Sequence, residues 1–136
     1  MNINMTFDEL YNRTFEISKC ELVRMDKGDI YVKTIVNDTD INPYGKAHGG
    51  YLYTLCDSMA GLIGYSLGSY TVSLQGNINY IKEAKLNDTL HIYGTYSHDG
   101  KTTKVADVLI KNQDDKIICK STFTLFVVKQ VEDKKQ

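Results

Sequence analysis

The chain has no tryptophan, a single proline (Pro43), and no apolar run near the roughly 18 residues that would cross a bilayer. One proline and no Gly/Ser/Pro-rich stretch leave no candidate linker. The 136 residues therefore read as one domain, 1–136, and 42% hydrophobic residues supply its core. An excess of either charge is also missing, at 16 basic against 17 acidic residues. That argues against nucleic acid as a partner, which a basic stripe would announce, and nothing points to a membrane. Charges crowd together only in the tail, Glu132 to Lys135, and 129–136 are expected to fray. Met1 to Phe15 carry no apolar signal-peptide core. Cys20, Cys56 and Cys119 are widely spaced and odd in number, giving neither a zinc motif nor a disulfide framework. Reduced, mostly buried thiols in a cytoplasmic protein are the expectation.

Familiar catalytic machinery is missing too. No Gly-x-Ser-x-Gly elbow is present, and Gly45-Lys46 lacks the upstream glycine of a phosphate-binding loop. His91 and His98 stand seven apart along a predicted strand and the turn after it, on opposite faces, with no metal-ligand geometry. No metal and no cofactor are expected.

What is present has a clear order. Thr6 to Phe15 reads as a short helix, with Thr6 and Glu9 forming a capping box and Phe7, Leu10, Tyr11 and Phe15 its apolar face. Cys20 to Val36 reads as two strands around an Asp26-Lys27-Gly28-Asp29 turn. Tyr51 to Leu67 is the strongest helix, because Leu52, Leu55, Met59, Leu62 and Ile63 recur every three or four residues. Cys56 and Ala60 widen that stripe, and Gly68 supplies a stop. Four strands follow, over Thr71–Ile81, Thr89–Ser97, Thr102–Lys111 and Lys116–Val128, with Asp99-Gly100 marking a hairpin. Ile117, Cys119, Ser121, Phe123 and Leu125 alternate onto one face of the last strand. The class is α+β, a curved antiparallel sheet packed on one dominant helix.

The chemistry concentrates between Asn42 and Asp57. Loop residues Asn42, Pro43, Tyr44 and Gly45 lead to His48, Gly49 and Gly50 at a helix start. The first N–H groups of a helix lack intrahelical partners and sit at its positive end, so they can stabilise an oxygen as it gains charge. Asp57 is unusual inside an apolar helix, and its face carries Gly61, Gly64 and Gly68, which leaves room for something to lie there. Asp57 follows Gly50 by seven residues, about 10 Å along the axis. One chain cannot bring both to the same atom, so two helices from two subunits should share a site.

These residues carry a resemblance. Asn42-x-x-Gly45-x-x-His48-Gly49-Gly50 with Asp57 beyond resembles the phenylacetate-degradation class of hotdog-fold acyl-CoA thioesterases. The likeness continues through Val72-Ser73, Asn77-Ile78-Asn79-Tyr80, Ala84 to Leu90, and Gly100-Lys101-Thr102. One departure is Asn87-Asp88, where the family has Gly-Asp. The resemblance implies a hotdog fold, a homodimer commonly paired into a homotetramer, and hydrolysis of acyl-CoA to free acid and CoA. It makes Asp57 the general base or nucleophile, with Asn42 positioning the water or thioester. Gly49 or Gly50 would polarise the carbonyl, His48 would orient the loop or leaving group, and Ser73 would assist the water. Gly45, Gly61 and Asn77 would contact substrate. Lys46, Lys82 or Lys85 would meet CoA phosphates, and Tyr51, Tyr53, Tyr65 and Tyr80 would line the acyl pocket. Two other activities fit a hotdog: a non-catalytic acyl-CoA-binding module and a hydratase or dehydratase. Binding alone gives no reason for Asp57, residues 1–40 contain no helix-turn-helix, and the hydratase motif is not seen.

Overall fold

The structure, a computed structural model, describes residues 3–132. The capping box forms as expected and sets the start of α1, Phe7–Arg13. Thr6 Oγ1 accepts from Glu9 N at 3.2 Å, and Thr6 N donates to Glu9 Oε2 at 3.3 Å. Phe7, Leu10 and Tyr11 pack on the core, whereas Phe15 lies beyond the helix and is 70% exposed. Its place on the apolar face is thus corrected, since the chain leaves α1 at Thr14 before Phe15 can turn inward.

Strands β1, Glu21–Asp26, and β2, Asp29–Ile35, pair through the expected turn. Helix α2 runs from Gly49 to Ser66, two residues earlier than the apolar periodicity indicated, so both glycines lie inside its first turn. Gly68 ends it with φ +97°, a conformation that suits a residue without Cβ. Strands β3 (Ser69–Tyr80), β4 (Thr89–Asp99), β5 (Thr103–Lys111) and β6 (Ile117–Gln130) follow. Strand β6 thus continues into the segment expected to fray, and residues 133–136 lie outside the described residues. All pairings are antiparallel in the order β1-β2-β4-β5-β6-β3, so the sheet curves around one long helix.

The core is the contact between α2 and the inner face of that sheet. Leu55, Met59 and Ile63 of α2 meet Ile92, Ile110, Phe123 and Leu125 with essentially no exposure. Each such side chain contributes about 1.5–3 kcal/mol through burial. Gly94 on β4 lets helix and sheet approach. A Cβ there would stand 2.7 Å from Met59 Cγ and Sδ and 2.9 Å from Ile63 Cγ1. Gly94→Ala is expected to cost about 1–3 kcal/mol of stability by overpacking, read as a lower urea midpoint at unchanged m-value; an unaltered midpoint would mean that α2 shifts freely.

Bulges account for several departures from simple alternation. A register shift between Tyr96 and His98 puts His98 opposite Val105, so it shares the outer face with His91. The two histidines were expected on opposite faces. His91 Nδ1 instead shares a 2.5 Å hydrogen bond with Tyr31 Oη. Another shift, between Ile110 and Lys111, turns Ile118 fully inward and leaves Ile117 half-buried, although Cys119, Ser121, Phe123 and Leu125 point inward as expected. Lys104 of β5 is the one buried charged residue among those described, 4% exposed, contacting Asp99 Oδ1 and Gly100 O (3.2 Å).

All three cysteines are free and buried. Cys56 and Cys119 lie in the core with sulfurs 3.9 Å apart. The hydrogen bond to Cys56, and then burial, push the Cys119 thiol up. Burial pushes Cys20 up to about 11.

Candidate active site

Asp57 falls in the third turn of α2, on the side of the helix that meets β3. Ser73 Oγ of β3 donates to Asp57 Oδ1 at 2.7 Å. Helix and strand thus hold one carboxylate oxygen, and Asp57 and Ser73 both line a cavity of about 460 Å³. Gly61, one turn on, lines the same cavity, and a Cβ there would meet nothing within 4 Å. Of the glycine row that was expected to leave room along this face, Gly61 alone does. Gly64 is buried, with its Cβ position 2.9 Å from Thr71 Oγ1, and Gly68 lies past the helix end.

The helix start forms a second locus. Gly49 and Gly50 are the first two helical residues, and His48 is the N-cap. The exposed His48 ring makes no capping bond to the first N–H groups. Tyr80 Oη donates to Gly49 O at 2.8 Å, and the Tyr80 ring lies over Gly49, 3.2 Å from where a Cβ would stand. A side chain at residue 49 would push the ring away. Burial raises the Tyr80 phenol above its ordinary value, so it stays a hydrogen-bond donor at neutral pH.

The loop before the helix is organised by Asn42. Its Oδ1 accepts from Tyr44 N (2.9 Å) and Lys46 N (3.1 Å), an Asx turn that folds the loop on itself. Gly45 takes φ +77° there. Ala47 N donates to Ala84 O at 2.8 Å and His48 N to Asp40 O at 2.9 Å, which fastens the loop to its neighbours.

Within one chain, then, Asp57, Ser73 and Gly61 come together, while Gly49 lines a separate groove with Tyr80, Lys82 and Ala84. Asn77 joins neither group. A bulge between Ser73 and Gln75 turns it to the outer face, opposite Thr122. Of the four tyrosines, Tyr65 lines the Asp57 cavity and Tyr80 the Gly49 groove. Tyr53 stacks edge-on against Phe123, and Tyr51 is half-buried with its phenol pushed up by burial. Lys46 is paired with Glu83 at 3.1 Å, while Lys82 and Lys85 make no ion pair among the described residues. No helix or strand signal marks Ile3 and Met5 as walls of the Asp57 cavity; the three residues Ile3-Asn4-Met5 are too few to define a periodicity. Tyr80's hold on Gly49 was equally invisible, because it joins residues 31 positions apart.

An antiparallel sheet wrapped around one long helix, with a carboxylate on that helix beside the last strand of the sheet, defines a hotdog-fold protein. The chain belongs to the thioesterase superfamily, whose family model matches residues 44–119. It is similar to acyl-coenzyme A thioesterase PaaI of Escherichia coli (strain K12), 30% identical over 98 residues, covering 72% of this chain and 70% of that protein. Two solved structures resemble it more strongly. One is smu.793 from Streptococcus mutans UA159 bound to acetyl CoA, with TM-score 0.85 and 48% identity over 88% of this chain and 95% of the other. The second is a hypothetical thioesterase protein with coenzyme A from Streptococcus pneumoniae TIGR4, with TM-score 0.85 and 45% identity over 93% and 97%. No helix among the described residues is long and apolar enough to cross a membrane.

Proposed function

We propose that this chain, acting as one domain, hydrolyses acyl-CoA thioesters to the free acid and CoA in the cytoplasm. The observation that carries the reading is the Asp57–Ser73 pair, a carboxylate held at 2.7 Å by a hydroxyl at the edge of an accessible cavity. The CoA found with two similar proteins supports the leaving group. Asp57 either takes a proton from water as that water attacks the thioester carbonyl, or attacks the carbonyl itself and is freed by water afterwards. In both routes the C–S bond breaks and CoA leaves as a thiolate, a good leaving group, so a carboxylate with an oxyanion hole suffices. Ser73 steadies the carboxylate or the water.

The oxyanion donors are the N–H groups of Gly49 and Gly50, at the positive end of α2. Since Gly49 and Asp57 line separate depressions of one chain, the donors come from a second subunit. Strand β3 favours that assembly. It is one of the sheet's two edge strands and leaves Val72, Leu74 and the neighbouring Ile81 largely exposed, an edge that native proteins seldom leave open. Joining two such edges builds a homodimer, and two dimers pair into a homotetramer, with the site between chains. Asn42 shapes the oxyanion loop, His48 meets the thioester or leaving group at its mouth, and Gly45 permits the turn. Asn77, on the outer face, meets the CoA moiety carried across from the partner. Lys82 and Lys85, near the Gly49 groove, meet the CoA phosphates.

The test is CoA release, followed with a thiol-reactive dye, from acetyl-, octanoyl-, palmitoyl- and phenylacetyl-CoA. Release from at least one, saturating with substrate, is the expected result. A protein that binds these compounds yet releases no thiol would be a binding module, and the hydrolysis reading would fall.

A further inference from the structure

The cavity beside Asp57 is shared between two parts of the chain. Helix α2 and strand β3 supply Gly61, Tyr65 and Val72, and the N-terminal segment supplies Ile3, Met5 and Leu10. No lysine or arginine lines it, so it has nothing to offer the phosphates of CoA. Its apolar wall suits the other half of the substrate.

The N-terminal segment is strapped down chiefly at a single residue, Met5. Tyr65 Oη donates to Met5 O at 2.7 Å, Tyr70 Oη donates to the same oxygen at 2.8 Å, and Met5 N donates to Tyr70 Oη at 2.5 Å. Lys129 Nζ adds a bond to Ile3 O at 3.2 Å. Residues 3–6 belong to no helix or strand, so these side chains, rather than a backbone ladder, decide where the wall stands. Tyr65 has a double part, lining the cavity and gripping the strap.

We infer that the strap at Met5 is the length gauge of the acyl site: it selects aliphatic acyl chains whose distal carbons reach Met5 and Ile3. This rests on the thioesterase reading. Methionine suits the task, since its unbranched thioether side chain adapts to a flexible apolar tail. A pocket that differs by one or a few methylenes changes kcat/KM by roughly 10–200-fold, which sets the size of the effect.

The experiment compares kcat/KM for butyryl-, octanoyl-, dodecanoyl- and palmitoyl-CoA in the wild type, Met5→Ala, Met5→Trp and Tyr65→Phe/Tyr70→Phe. Ratios between substrates are the readout, because a general loss of activity lowers all four together and leaves ratios alone. Met5→Ala should move the ratio of the longest to the medium chain up by about tenfold, and Met5→Trp should move it down. Releasing the strap with the double phenylalanine variant should flatten the profile. Ratios equal to the wild type in all three folded variants would overturn the gauge while leaving hydrolysis intact. Should the wild type cleave none of the four, hydrolysis fails separately, and the gauge is read from Kd along the same series by calorimetry. There too, a length dependence that moves with Met5→Ala supports it, and one that stays put, or no binding at all, overturns it.

Discussion

Replacing Asp57 by asparagine should lower kcat/KM for the best acyl-CoA by about 10²–10⁴-fold, the span attributed to a positioned acid or base, while leaving thermal stability nearly unchanged. The substitution is close to isosteric, and the carboxamide oxygen can still accept the Ser73 hydroxyl that now sits at 2.7 Å from Oδ1. The cavity keeps its shape and the helix its packing. What disappears is the capacity to take a proton from water or to form an acyl bond, and either route needs one of these. Ser73→Ala should cost less, about tenfold, the low end of what positioning a reacting group contributes, because the carboxylate stays and only its restraint is lost. An Asp57→Asn protein that keeps a large share of wild-type activity would place the chemistry elsewhere.

The second large effect concerns stability. Asp99→Ala should destabilise the fold by about 2–4 kcal/mol, somewhat below the 3–5 kcal/mol for breaking a buried pair, because the Asp99 side chain is itself 35% exposed. The burden falls on Lys104. Its ammonium is almost wholly buried on the inner face of β5, in register with Asp99 across the hairpin, and would be left with Gly100 O alone. In a chain this size the melting temperature should drop by roughly 10 °C. Lys104→Met tests the cause. It removes the buried charge and leaves a carboxylate that water can reach, so it should cost much less than Asp99→Ala. Equal losses from both variants would mean that packing, and not an orphaned ammonium, sets the cost.

The sequence was most informative where one local rule acted alone. The Thr6–Glu9 capping box, the Asp26–Asp29 turn and the stripe from Leu52 to Ile63 each fixed an element, and Gly68 ended the helix as glycine usually does. The candidate site was legible for a related reason. An aspartate amid apolar residues and a pair of glycines at a helix start each go against helix propensity, which marks them out. The places that escaped were those set by partners distant in sequence. No local pattern marks the bulge after Ser73, yet it alone decides that Ser73 faces Asp57 while Asn77 faces outward. The bulge near His98 overturned a face assignment in the same way. Helix α2 began two residues early because glycines contribute nothing to an apolar stripe, even where Tyr80 holds the backbone of Gly49. The strap at Met5 depends on hydroxyls 60 and 65 positions away.

The burial of Cys20, Cys56 and Cys119 has a practical side. A thiol-reactive dye meets no accessible sulfur on the native protein, since Cys20 is 8% exposed and the other two are sealed. Colour that develops during turnover therefore counts CoA alone, against a flat blank. Unfolding liberates three protein thiols at once, so the same dye without substrate becomes a clock for global opening. One reagent then separates a variant that has lost its chemistry from one that has lost its fold: the former stays colourless with or without acyl-CoA, and the latter colours with neither substrate nor turnover.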